Sequence, residues 1–201
     1  CIWALAHPRG GGEMGRDWYL NGKYLSKKNT FFDTIACAEH LANMNICSPS
    51  RIVVRGGSAG GLTVGASIAL SPTTFAGAIA EVPFVDIVST MSDPTLPLTI
   101  TEWEEWGDPR EEPFASYMLS YSPYDLDSSA IKTATYVTAG LNDPRVSYHE
   151  PAKWVAKMRH ESPERIVLFK CEMGAGHGGP SGRYEQWLDE AKTLVFALQC
   201  M

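Results

Sequence analysis

Three residue types that together can cleave an acyl bond stand in a telling order along this chain. Ser58 lies in Gly56-Gly57-Ser58-Ala59-Gly60, a G-x-S-x-G pattern. It follows the β-branched run Ile52-Val53-Val54 and precedes an apolar stretch starting at Leu62. A strand–turn–helix of this kind is the setting of a nucleophile elbow, where a tight turn exposes the hydroxyl and glycines let neighbouring backbones come close. The Ala59 N–H would then face an oxyanion from a helix N-terminus. The competing reading is a glycine-rich turn that holds a phosphate or nothing, but no GxxxxGK[ST] pattern supports a phosphate loop.

A serine hydroxyl is a weak nucleophile at neutral pH. It needs a histidine base, and the base needs an acceptor that fixes its tautomer. In a doubly wound hydrolase both follow the serine on loops after strands, acid first. Asp143 fits, in Gly140-Leu141-Asn142-Asp143-Pro144, and His177 fits, in Gly174-Ala175-Gly176-His177-Gly178-Gly179. His149 and His160 fall in or at the end of a helical stretch, His40 on an earlier helix, and His7 ahead of the elbow, where a structural role is the plainer one. Asp125 and Asp127 stand in an irregular stretch with no clear strand end. Gly174-x-Gly176-x-x-Gly179 also matches a dinucleotide fingerprint, but that motif needs a helix and then a further strand, and here the chain closes on the helix.

These residues require elements to hold them. Strands are expected at Ile2–Ala6, Ile52–Val54, Ala76–Val82, Ala134–Gly140 and Arg165–Lys170. Helices are expected from Thr30, with Thr30 and Asp33 as a capping box, and over Leu62–Leu70, His149–Arg159 and Arg183–Leu198. Residues 83–125 read as an irregular insertion rich in Pro, Trp and acidic side chains. Strands alternating with helices imply an α/β fold, a doubly wound, mostly parallel sheet with helices on both faces.

Composition narrows the classes. The 201 residues suit one domain, and 44% apolar with 20% charged residues is ordinary globular usage. A net charge of −6 offers no basic footprint for nucleic acid. No run reaches the roughly 18 apolar residues that span a bilayer. Five scattered cysteines give neither a disulfide framework nor metal-ligand spacing, which fits free thiols in a reducing compartment. The chain opens on Cys1 and an apolar run too short for a signal peptide, so it is expected to begin inside a domain.

The motifs His7-Pro8-Arg9-Gly10-Gly11-Gly12-Glu13-Met14-Gly15, Gly57-Ser58-Ala59-Gly60-Gly61, Glu102-Trp103-Glu104-Glu105-Trp106-Gly107, Gly140-Leu141-Asn142-Asp143-Pro144-Arg145-Val146 and Gly176-His177-Gly178-Gly179 together resemble the prolyl oligopeptidase family, in particular its trypsin-like, cytosolic members. The resemblance runs over essentially the whole chain. It implies an α/β-hydrolase catalytic domain with Ser58 as nucleophile, Asp143 as orienting acid and His177 as base. It implies that Ala59 supplies one oxyanion N–H and that Arg145 holds a substrate main-chain carbonyl. Glu102 and Glu104 resemble carboxylates that select Lys or Arg, and Phe84 an aromatic that flanks the selected side chain. The implied substrates are short basic peptides, with no cofactor.

The side chains support this on their own chemistry, since a guanidinium seeks a planar carboxylate and an aromatic face. Glu102 and Glu104, two apart, would share one side of an extended stretch. Alternatively, Glu102, Glu104 and Glu105 form a solvated acidic turn, Phe84 is a core aromatic, and Arg145 makes a surface ion pair. The resemblance also implies a β-propeller, first strands and a tyrosine oxyanion donor that these residues do not include. Three readings therefore stay open: an oligopeptidase specific for Lys and Arg, another hydrolase of the same fold such as an acylaminoacyl peptidase or esterase, and an inactive fragment short of one oxyanion donor.

Overall fold

Short β-branched and alanine-rich runs separated by amphipathic stretches build the chain into alternating strands and helices. A computed structural model describes all residues from Cys1 to Met201. In chain order the elements are α1 (Arg16–Leu20), α2 (Lys28–Asn43), β1 (Val53–Gly57), α3 (Ala59–Leu70), β2 (Gly77–Glu81), α4 (Ile87–Ser92), α5 (Thr99–Trp106), α6 (Phe114–Leu119), β3 (Ala134–Gly140), α7 (His149–Glu161), β4 (Val167–Glu172) and α8 (Arg183–Cys200). The four strands form one parallel sheet in the order β1-β2-β3-β4.

Side chains alternate across a strand, so β2 serves both faces. Ala78 and Ala80, with Val137 of β3, pack against Val64 and Ile68 of α3 and against Trp154 and Met158 of α7. Ile79 and Tyr136 point the other way, onto Phe196 of α8. Helices thus cover both faces, as expected of a doubly wound sheet and of the α/β-hydrolase fold.

Because every strand runs the same way, the loops after all four open on one edge. The register aligns Gly57, Glu81, Thr138 and Lys170 in one row, so these loops start nearly level. That edge is where ligands of open parallel sheets bind.

Three local expectations are corrected. Ile2–Ala6 forms no strand: it is exposed and has no ladder partner. An extended segment is held as a strand only by a neighbour that takes its N–H and C=O groups, and β1 pairs only with β2. The 83–125 insertion is not irregular. It contains α4, α5 and α6, whose Ile87, Met91, Trp106 and Met118 join Phe31 of α2 and Leu62 of α3 in a second core cluster. The helix expected to open at Thr30, α2, begins at Lys28, so Thr30 and Asp33 are inside it rather than at a capping box. Both instead tie α2 to the glycine loop. The Thr30 hydroxyl donates to the Arg9 carbonyl at 2.6 Å, and Arg9 donates to the Asp33 carboxylate at 2.6 and 2.8 Å.

Candidate active site

Ser58 stands between β1 and α3 with φ 57° and ψ −120°. A side chain in that left-handed region costs of the order of 1–3 kcal/mol and persists only where its surroundings enforce it. Here they do. The Ser58 N–H donates to the Glu81 carbonyl at 2.8 Å, and its own carbonyl accepts from Gly61 at 2.9 Å and from Phe84 at 3.1 Å. The elbow is therefore clamped by the end of β2 and the loop beyond it. Gly56 is required by the crossing, because a Cβ there would stand 2.4 Å from the Gly60 carbonyl oxygen. Ala59 is the first residue of α3, so its N–H has no intrahelical acceptor.

Asp143 and His177 arrive from the loops after β3 and β4. The His177 Nδ1 and Asp143 Oδ2 atoms are 2.7 Å apart. The Asp143 side chain is fully buried and that of His177 is partly exposed. The other Asp143 oxygen, Oδ1, accepts the N–H groups of Arg145 at 2.8 Å and Val146 at 3.1 Å. A carboxylate only accepts, so Nδ1 carries the hydrogen and Nε2 is left free to accept a proton. The two loops meet closely: Asn142 N–H donates to the Ala175 carbonyl at 3.0 Å, and a Cβ on Gly140 would lie 2.6 Å from the Gly176 carbonyl oxygen. No hydrogen bond links Ser58 Oγ to His177 in this arrangement. Such contacts often tighten only when substrate binds. A cleft of about 300 Å³ opens beside His177, between the sheet and α8, and includes Glu81, Lys170 and Glu190 in its lining.

The residues proposed to meet a basic side chain divide. Phe84 is 7% exposed and packs edge-on against Trp106, ring centroids 5.3 Å apart. The Trp106 Nε1–H donates to the Glu102 carboxylate at 2.6 Å. Phe84, Trp106 and Glu102 thus form one linked set, one hydrogen bond from the Ser58 carbonyl. Glu104 does not belong to it. The stretch is the helix α5, not an extended segment, and two helical residues lie roughly 200° apart around the axis. Glu104 is exposed and makes no ion pair or side-chain hydrogen bond. Arg145 is exposed on the loop, and its guanidinium has no partner.

Sequence reading missed three members of this neighbourhood. Trp106 is the hub of the Phe84–Glu102 set, visible beforehand only as an aromatic in a motif. Lys27 places its ammonium 4.9 Å from the Trp106 ring centre, and burial pushes that amine down to about 8 despite Glu105 and Glu102. Glu105 shares the Glu102 side of α5 and accepts from the Tyr19 hydroxyl. No group of three His, Cys, Asp or Glu side chains converges as a metal site would require.

The prolyl oligopeptidase family model matches residues 1–201. Among curated proteins, "Protease 2" of Moraxella lacunata is 48% identical over 98% of this chain and 29% of its own length. Dipeptidyl aminopeptidase BI of Pseudoxanthomonas mexicana is 45% identical over 98% of the chain and 27% of its own. Among solved structures, oligopeptidase B of Leishmania major superimposes with a TM-score of 0.91 at 45% identity, over 96% of this chain and 27% of that one. The oligopeptidase B of Trypanosoma brucei, solved with covalently bound antipain, gives 0.89 at 48% identity, over 95% and 28%. The chain thus spans less than a third of the length of these relatives. No helix is long and apolar enough to cross a membrane.

Proposed function

The chain belongs to the prolyl oligopeptidase family, and on that premise we propose that it is the catalytic part of a serine oligopeptidase that cleaves short peptides after Lys or Arg. The observation that carries the mechanism is the 2.7 Å contact between His177 Nδ1 and a fully buried Asp143, on loops that open on the same sheet edge as the strained Ser58. His177 Nε2 takes the Ser58 proton as Oγ attacks the scissile carbonyl. The Ala59 N–H stabilises the oxyanion. The protonated His177 then gives its proton to the leaving amine, and water, activated by the same base, releases the acyl group from Ser58. Asp143 keeps the imidazole in the tautomer that makes this possible.

Basic specificity is supported by the Glu102–Trp106–Phe84 set, which combines a carboxylate with two aromatic rings. Arg145, exposed beside the acid with no ion-pair partner, is free to bind a substrate carbonyl. The five cysteines are unpaired, which supports a reducing, cytosolic setting. The β-propeller that the family resemblance implies is the expected partner of this domain.

The experiment is to assay the natural protein and its Ser58→Ala variant on arginyl, lysyl and leucyl amides. Hydrolysis of the basic amides that disappears in Ser58→Ala supports the proposal. Leucyl amide cleaved as well as arginyl refutes the specificity, and activity retained by Ser58→Ala refutes the mechanism.

A further inference from the structure

Glu150 is a buried carboxylate that the reaction above leaves unused. It is the second residue of α7 and only 2% exposed. Its Oε1 accepts the backbone N–H of Val85 at 2.5 Å and of Asp86 at 2.9 Å, and its Oε2 accepts the Thr90 hydroxyl at 2.8 Å. All three donors belong to the loop and short helix that directly follow Phe84. On the other side, α7 begins just after Arg145 and Val146, whose N–H groups hold Asp143. One side chain therefore ties the wall of the proposed basic subsite to the loop carrying the catalytic acid.

No cation pairs directly with Glu150, although Lys153 is near enough to feel its charge. Asp86, also 2% exposed, is the nearest like charge, and Lys153 of α7 pairs with Asp86 rather than with Glu150. Lys153 also lies over the Tyr124 ring, 4.5 Å from its centre. His149, the preceding residue, is exposed and bonded to the Ser147 hydroxyl. A charge kept dry with only neutral donors is costly to fold around, so its retention here points to a service at the site.

We propose that Glu150 is a positioning residue for the basic subsite: its carboxylate locks residues 84–90 against the Asp143 loop and so sets where Phe84 and Trp106 receive the substrate side chain. The inference rests on the reading of that subsite given above. Burial, reinforced by Asp86, raises the Glu150 carboxyl to about 7. The lock is therefore strongest in the anion and slackens as the pH falls through neutrality. Protonation turns an ionic acceptor into a neutral one, and hydrogen bonds to charged groups are roughly twice as strong as neutral ones.

The test uses the natural protein and two readouts. The first is the inhibition constant of benzamidine, a flat cation that is not cleaved, between pH 6 and 8. In the wild type it should weaken roughly five- to tenfold toward pH 6. Glu150→Gln keeps an acceptor for the two N–H groups but cannot titrate, so it should flatten that dependence. Thr90→Val removes one donor to the anion and should move the inflection to higher pH. The second readout is hydrogen exchange at Val85 and Asp86. Their protection should drop at least tenfold in Glu150→Ala and return in Glu150→Gln. A Glu150→Gln protein with the wild-type pH dependence, or an unmoved inflection in Thr90→Val, overturns the proposal. If Glu150→Ala fails to fold, those two variants decide. If the wild type does not bind benzamidine at all, the basic-subsite reading fails. The lock is then judged by exchange alone, and exchange at Val85 and Asp86 unchanged between the wild type at pH 8 and at pH 6, after correction for intrinsic rates, overturns it.

Discussion

The helical form of residues 99–106 separates two glutamates that look equivalent in sequence. Glu102 accepts a 2.6 Å hydrogen bond from Trp106, which itself packs edge-on against Phe84. Glu104 lies about 200° away around the axis and is exposed. Of the two, only Glu102 lies beside those rings, where the proposed subsite would take a cation. Replacing it with Gln retains an acceptor for the indole but removes the charge that a guanidinium would pair with. A charged hydrogen bond is worth about 1.5–3 kcal/mol. At about 1.4 kcal/mol per tenfold, Glu102→Gln should lower kcat/KM for an arginyl amide by roughly 10- to 150-fold. Glu104→Gln removes a solvent-screened charge and should change it less than about threefold. The assay is kcat/KM for arginyl and leucyl amides on both variants, with the ratio of the two substrates as the measure. Equal losses from Glu102→Gln and Glu104→Gln, or the larger loss from Glu104→Gln, would refute the reasoning from helix geometry. A loss by Glu102→Gln that is the same on leucyl amide would refute the role in selection.

Asp143→Asn should leave the fold intact, since its carbonyl can still accept from Arg145 and Val146, yet its amide would donate toward Nδ1 and force the wrong tautomer; kcat should fall roughly 10³- to 10⁴-fold, checked alongside unchanged circular dichroism. Gly56→Ala drives a Cβ to within 2.4 Å of the Gly60 carbonyl oxygen; destabilisation of about 1–3 kcal/mol or more should appear in urea unfolding. Lys27, held down to about 8 by burial, has a folded value below its unfolded one. The unfolded chain then binds more protons above that pH, so this amine makes stability rise with pH from about 8 towards about 10.4. Lys27→Met should remove that rise and raise Tm at pH 7 by roughly 4–8 °C, for a gain of about 2 kcal/mol. A Tm difference between the two proteins that does not shrink as the pH increases through that window would count against it.

Local patterns were enough for much of this molecule. The β-branched and alanine-rich runs marked β1, β2, β3 and β4 to within a few residues, because strand propensity and burial act over short windows. Gly56-x-Ser58-x-Gly60 marked the elbow, because a turn that tight needs glycines where backbones cross. The order of Ser58, Asp143 and His177 marked the candidate triad, because parallel strands deliver successive loops to one edge. Ile2–Ala6 shows the limit: its composition is that of a strand, but a strand exists only when a neighbour completes its hydrogen bonds. Glu102 and Glu104 show another, since their spacing carries opposite meanings on a helix and in an extended segment. Glu150 lay wholly outside local reach. In sequence it is an acidic residue in the first turn of a helix, where the dipole favours it anyway. Only the packing of α7 against residues 84–90, contacts 60 to 65 positions apart in the chain, turns it into a buried anchor. Sequence patterns decided which groups are able to do chemistry, because turn and pairing preferences are local. The tertiary structure decided which of them face one another, because that depends on long-range packing that no short window contains.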